Sequence, residues 1–97
     1  MKPVHVHSEA EVEADEAFEW YWSRSGSSAL AFDTALREAF NFLRRSPQMC
    51  APYLRGMRRV MLHRFPYFVV FRELPHKIQI IAVAHAKRRP GYWRGRV

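Results

Sequence analysis

MRRVMLHRFPYFVVFRELPHKIQIIAVAH, residues 57–85, carries the pattern from which the architecture of this chain can be worked out. From Met57 onward apolar residues recur with a period of two, which is the spacing of side chains on one face of a β-strand. Pro66 and Pro75 interrupt this period, so the stretch predicts strands at about 57–64, 67–73 and 77–85. Because the breaks are short, neighbouring strands should pair as antiparallel hairpins. The almost wholly apolar run at 78–84 is typical of a central strand.

Two amphipathic helices are predicted upstream of the strands. Ser8 and Glu11 have the spacing of a capping box, and acidic residues crowd the turns that follow, where the helix dipole favours carboxylates. After a Ser- and Gly-rich turn at 23–28, apolar residues recur at helical spacing as far as Ser46-Pro47, where proline ends the second helix. Two such helices joined by a short turn are expected to form an antiparallel hairpin.

The order of these elements defines the expected fold class. Residues 4–7 alternate as a short first strand, residues 47–56 read as a loop, and residues 87–97 form a basic and aromatic tail. The chain is therefore expected to be one α+β domain over residues 1–97, with a short N-terminal strand, a helix hairpin and a three-stranded antiparallel meander. The hairpin should lie on the sheet, because the sheet is the only large apolar surface available to it.

Charge is distributed very unevenly along the chain. The formal net charge is +7, yet residues 1–54 hold 5 basic and 8 acidic residues, whereas residues 55–97 hold 11 basic residues and one acid, Glu73. A surface that only has to stay solvated would mix the two signs. The split predicts a strongly positive C-terminal half that attracts phosphates or an acidic protein.

Several classes of protein are excluded by what the sequence lacks. Cys50 is the only cysteine, so an internal disulfide and a zinc site of paired cysteines are ruled out, and an inert thiol is expected. His5 and His7 have no evident third ligand, and there is no Gly-rich phosphate loop, so neither a metal nor a cofactor is predicted.

The compartment is inferred from the absence of targeting signals. No apolar run approaches the roughly 20 residues that cross a bilayer. The start of the chain has no apolar stretch of the kind found in signal peptides. A cytoplasmic protein without membrane contact is expected.

Three segments of the C-terminal half resemble a known family when they are read in order. They are residues 57–72, which include Arg-Phe-Pro-Tyr at 64–67, then Ile-Ile-Ala-Val-Ala-His at 80–85, and Arg-Arg-Pro-Gly-Tyr-Trp at 88–93. Together with the predicted order of elements, they resemble the RelE/ParE superfamily of toxins, and in particular its ParE-like branch of plasmid stabilisation proteins. The resemblance covers nearly the whole chain.

The resemblance implies a growth-inhibiting toxin of a type II toxin–antitoxin system. A cognate antitoxin, usually acidic in the segment that wraps the toxin, would be its partner. The resemblance leaves the target open, because ParE-like members poison DNA gyrase whereas RelE-like members cut messenger RNA on the ribosome.

Candidate site residues follow from the resemblance and differ between the two targets. For RNA cleavage, which in this family needs no metal, His85 would transfer a proton and Arg64 would stabilise the charged phosphate. For binding to a target, the candidates are basic and aromatic residues near the last strands and in the tail: Arg72, Arg88, Arg89, Tyr92 and Trp93.

Three functions stay open at this point. RNA-cleaving members carry several basic residues on the sheet, but this chain lacks the central lysines and offers only Lys77, which is next to a turn. A toxin that acts on gyrase or a related target is therefore favoured. A ribosome-dependent endoribonuclease is the alternative. A basic nucleic-acid-binding module without toxicity is the third hypothesis, and it rests on the positive charge alone.

Overall fold

The computed structural model describes residues 1–97 and places two helices against one five-stranded sheet. The elements, in chain order, are β1 (Val4–Val6), α1 (Ser8–Trp22), α2 (Gly26–Arg45), β2 (Ala51–Pro52), β3 (Arg58–Met61), β4 (Tyr67–Glu73) and β5 (Ile78–His85). The strand order across the sheet is β1-β5-β4-β3-β2, with β1 parallel to β5 and all other neighbours antiparallel. The predicted α+β class, with its helix hairpin and meander, is confirmed.

The start of α1 differs from the predicted capping box. His7 is the capping residue, because its Nδ1 accepts a hydrogen bond from the backbone N–H of Glu9 at 3.0 Å, and Ser8 is already helical. The backbone N–H of His7 also donates to the carbonyl of Ile80 at 2.9 Å, so the pairing of β1 with β5 fixes where the helix can begin. The stop of α2 before Pro47 is as predicted.

Two details of the meander also differ from expectation. β3 ends at Met61 rather than at residue 64, and Arg64 lies in the following turn with φ of 74°. The short strand β2 lies inside the segment expected to be a loop and adds a fifth strand at the edge of the sheet. An edge strand tolerates Pro52, which has no N–H to donate.

A β-bulge divides β5 into two parts. Val70 pairs with Ala82 and Phe71 pairs with Ile80, so Ile81 has no partner across β4. Beyond such an extra residue, the side chains exchange faces of the sheet. The bulge thereby turns Val83 and His85 towards α1.

The sheet has a hydrophobic core on each face. Between the sheet and the helices, a cluster is built on fully buried side chains that include Phe32, Leu43 and Phe71. On the opposite face, Trp93 packs with Met57, Phe68 and neighbouring β5 residues and is 1% exposed. Trp93 was expected to be available for contact with a target, but it lies in this second core, where no binding partner can reach it in this conformation.

The burial of Trp93 predicts that it is needed for stability. Trp93→Ala should lower the free energy of unfolding by about 3–5 kcal/mol, the usual cost of removing a large buried aromatic side chain. Urea unfolding followed by circular dichroism measures the change. Trp22→Ala is the matched control, because Trp22 is 58% exposed, and it should cost about 1 kcal/mol or less. Equal losses in the two variants would show that the tail does not anchor the sheet.

Candidate functional site

The edge of β5 next to β1 is only partly covered by a strand. Pairing with β1 stops at Val6 and Ile80, although β5 continues to His85. A strand edge without a partner leaves backbone N–H and C=O groups that need hydrogen bonds from elsewhere. Side chains from α1 and from the C-terminal tail provide these bonds.

Glu13 on α1 is the centre of this substitute pairing. Its Oε1 accepts from the backbone N–H of Val83 at 3.0 Å and from Nη1 of Arg96 at 2.9 Å. Its Oε2 accepts from the hydroxyl of Tyr92 at 2.6 Å and from Nη2 of Arg96 at 2.9 Å. Nη1 of Arg96 also donates to the carbonyl of Ile81 at 3.1 Å. We call Glu13, Tyr92 and Arg96 the edge cluster.

The edge cluster is largely shielded from water. The side chains of Glu13 and Arg96 are 11% and 14% exposed. Burial, reinforced by the hydrogen bond and the charge of Glu13, raises the pKa of the Tyr92 hydroxyl far above its usual value, so the phenol stays protonated. The hydrogen bonds from Arg96 to Glu13 likewise raise the pKa of the guanidinium. The cluster is therefore a paired ionic group with a neutral phenol.

A cleft of about 430 Å³ opens beside the edge cluster. One wall is α1, and the floor is formed by the start of β4 and the end of β5. The lining residues are Glu13, Glu16, Ala17, Trp20, Tyr21, Pro66, Tyr67, Val83, His85 and Arg88. The cleft therefore combines aromatic rings with charges of both signs.

His85 lies on the floor of the cleft and is held from two sides. Its Nδ1 accepts a hydrogen bond from the backbone N–H of Lys87 at 3.0 Å, and its ring makes an edge contact with Tyr67 at a centroid separation of 5.0 Å. Burial raises the pKa of the Tyr67 hydroxyl. Only Nε2 of His85 remains for contact with another molecule.

The structure brings some of the sequence-predicted residues to one end of the sheet. Arg64 lies in the turn before β4, and that turn is joined to the end of β5 by a hydrogen bond from the N–H of Ala86 to the carbonyl of Pro66 at 2.7 Å. The predicted residues at this end are Arg64, His85, Arg88 and Arg89. Arg88 stacks its guanidinium on the ring of Tyr92 at 3.8 Å and remains 54% exposed.

Two predicted residues lie away from this end. Arg72 is close to the opposite end of β4, where its Nε donates to Oε1 of Gln79 at 2.8 Å. Trp93 is in the second core, as described above. The set proposed from the sequence is therefore not a single site.

The central residue of the site, Glu13, cannot be recognised from the sequence. In the sequence it is one of several carboxylates near the start of α1, and only the position of the tail distinguishes it from its neighbours. Arg96 likewise looks like one more residue of a basic tail. No local pattern pairs residues that are 83 positions apart.

The fold has a close counterpart among solved structures. A chain of the structure described as "Chromosomal ParDE TA system from P. aeruginosa" is similar with a TM-score of 0.77 and 22% sequence identity, and the match covers 90% of this chain and 98% of that chain. The likeness shows that this protein has the same α+β fold as that chain.

A family comparison identifies the chain more closely. The family described as "ParE toxin of type II toxin-antitoxin system, parDE" matches residues 4–90. The chain belongs to this ParE toxin family, and it is the toxin of a type II toxin–antitoxin system. Membership implies an antitoxin as its partner. No match was found among curated protein sequences. Neither helix has the length and apolar character required to span a membrane.

The edge cluster predicts a large effect of one carboxylate on stability. Glu13→Ala should lower the free energy of unfolding by about 3–5 kcal/mol, because Arg96 then loses the partner of its buried charge. Chemical denaturation measures the loss. Glu16→Ala, one turn away on an exposed part of α1, is the matched control and should change stability by about 0.5 kcal/mol or less. If Glu13→Ala behaves like the control, the cluster does not hold the tail.

The raised pKa of Tyr92 predicts a loss of stability at alkaline pH. The unfolded tyrosine ionises near its usual pKa of 10.0, whereas the folded one keeps its proton, so the stabilisation is complete below that pH and is lost above it. Relative to Tyr92→Phe, the wild type should therefore begin to lose stability at about pH 9 and should continue to lose it as the pH rises further above 10.

Urea unfolding at several pH values tests this prediction. Tyr53→Phe is the control, because Tyr53 packs against the same second core. Tyr53→Phe should keep the alkaline loss that Tyr92 causes. Wild-type and Tyr92→Phe curves that stay parallel across this range would rule out the shift.

Proposed function

We propose that this toxin arrests growth in the cytoplasm by binding DNA gyrase and that a cognate antitoxin neutralises it. The proposal follows the ParE-like character of the sequence, because gyrase is the target that ParE-like members of the superfamily poison. In this proposal the toxin acts by binding its target and does not cleave RNA.

The observation that carries this proposal is the engagement of Tyr92. A tail tyrosine is one of the groups that could act in RNA cleavage, but the hydroxyl of Tyr92 donates to Glu13 at 2.6 Å and its pKa is raised. One face of its ring is covered by Arg88 at 3.8 Å. Tyr92 is therefore poorly suited to exchange protons or to stack on a base.

The remaining catalytic candidates support the same reading. Cleavage would need an arginine and a proton-transfer group placed around one phosphate. Arg64 lies in an exposed turn, and the Nδ1 atom of His85 already accepts a backbone hydrogen bond. Although both lie at the same end of the sheet, neither is held in a fixed position around a phosphate. These features favour contact with a surface over a catalytic arrangement.

The contact surface that we propose is the basic end of the sheet. Arg64, Arg88 and Arg89 lie in turns there. Arg88 makes a long ion pair with Glu13 at 4.0 Å and remains 54% exposed, whereas the side chains of Arg64 and Arg89 have no partner in the protein. Exposed guanidinium groups on turns can adapt to a protein partner and contribute to its recognition, as arginine often does at interfaces.

The deciding experiment compares the two targets directly. The purified toxin is incubated with gyrase and plasmid DNA, and separately with ribosomes translating a defined messenger RNA. We expect loss of supercoiling activity or trapped DNA breaks, together with intact RNA. Specific cuts in the messenger RNA, with gyrase unaffected, would establish the endoribonuclease instead.

Variants connect this activity to the proposed surface. His85→Ala should retain growth arrest, because no proton transfer is required of it. Arg88→Glu combined with Arg89→Glu should weaken inhibition by tenfold or more. Because Arg88 also lies 4.0 Å from Glu13, the stability of this variant is measured in parallel, and Arg89→Glu alone should weaken inhibition while changing stability little. Arg44→Glu with Arg45→Glu, an exposed pair at the end of α2, makes the same change of charge and should leave inhibition nearly intact. Arrest abolished by His85→Ala alone would favour the catalytic role.

A further inference from the structure

The face of the sheet that points away from the helices has a polar part that nothing covers. Trp93 and the tail cover this face over the first half of β4 and the second half of β5, which lie side by side. Towards the other end, His5 pairs with Gln79 and Gln79 pairs with Arg72, so these three side chains form a row across β1, β5 and β4. Their strand neighbours Val4, Val6, Ile78, Ile80 and Phe71 pack towards the helices, so the row faces the opposite way.

Arg59 on β3 extends this row. It pairs with Val70, which is two residues before Arg72 on β4 and on the same face. Diagonal neighbours of this kind lie roughly 7–8 Å apart. Both side chains therefore start from one face of the sheet, within the span of one extended ligand, with Arg59 leaning towards Phe68 and Arg72 towards Gln79.

Both arginines are held in place by uncharged groups. Nε of Arg72 donates to Oε1 of Gln79 at 2.8 Å, and its two terminal nitrogens have no bond to the protein. The guanidinium of Arg59 lies over the rings of Tyr53 and Phe68, at 4.3 Å and 5.0 Å from their centroids. These contacts restrict the side chains without neutralising their charge.

Other arginines of the chain are committed to partners of their own. Arg37 pairs with Asp33, Arg96 pairs with Glu13, and Arg58 donates to the carbonyl of Cys50. Glu73, the only acid among residues 55–97, is bonded to Lys2 and Gln48. The polar row therefore has no carboxylate to offset its charge.

We propose that this row, formed by His5, Arg59, Arg72 and Gln79, binds phosphate groups of DNA. The guanidinium fork matches the oxygens of a phosphate, and an arginine that is already held in place loses less entropy when it binds. One strand of DNA places a phosphate about every 3.4 Å along its axis, so the two arginines span about two steps. The row presents imidazole, amide and guanidinium groups with no apolar groove, which suits a phosphate backbone better than a polypeptide. The inference is independent of the proposed contact with gyrase.

Binding of a short DNA duplex to the whole chain, measured by fluorescence anisotropy over a range of salt concentrations, tests the inference. Arg59→Gln with Arg72→Gln should weaken binding at least tenfold and reduce the slope of log K against log salt by about 2, because about two phosphate contacts are lost. Arg44→Gln with Arg45→Gln removes the same charge from α2 and should change affinity less than about twofold, the difference expected of a site rather than of net charge.

The remaining outcomes are equally decisive. Equal losses in the two double variants would mean that only net charge matters, and no loss in either would remove the row from consideration. Tighter binding of polyglutamate than of DNA at the same residues would assign the face to an acidic protein. Arg88→Glu with Arg89→Glu should still lose most gyrase inhibition in this scheme, so a failure of the row and a failure of the gyrase proposal can be told apart.

Discussion

One carboxylate connects three separate parts of this toxin. Glu13 accepts hydrogen bonds from β5 and from the tail, and with Arg96 it completes an edge that β1 is too short to cover. A buried charge is tolerated only when it is paired and its remaining bonds are satisfied, and each oxygen of Glu13 accepts two bonds. The position of the tail on the sheet depends on this group.

The position of the tail in turn divides the surface of the molecule. Once Arg96 and Tyr92 are held at the edge of β5, Trp93 lies over the face of the sheet opposite the helices. One end of that face becomes a core, and the other end keeps its exposed polar row. The cleft floored by His85 lies on the helix side. The basic half of the chain thus provides two separate surfaces, the basic end of the sheet and the polar row. The composition of the chain alone indicates only one positive half.

The sequence predicted the elements better than it predicted how they meet. Prolines bracket β4, whose bounds at Tyr67–Glu73 match the expectation, and Ser46-Pro47 ends α2 as expected. The bulge at Ile81 could not be predicted from the sequence, because both faces of β5 are buried there. A strand that is apolar on both faces shows no alternation of polar and apolar residues, so an extra residue leaves no visible break in the pattern. Yet this bulge turns His85 towards α1. The roles of Glu13 and Trp93 depend on contacts between distant segments, and no local pattern encodes these.

The two groups of free cations differ in how they are held, and this difference bears on what each can recognise. Arg64 and Arg89 lie in exposed turns, where a side chain can move to fit an irregular protein surface. Arg59 and Arg72 project from paired strands and rest on rings or on an amide. Two cations held at a fixed separation are suited to a ligand whose charged groups are regularly spaced, as the phosphates of a DNA strand are. The positive charge of the C-terminal half therefore supports two kinds of contact. How firmly each arginine is held distinguishes the two better than its charge, which is the same in both groups.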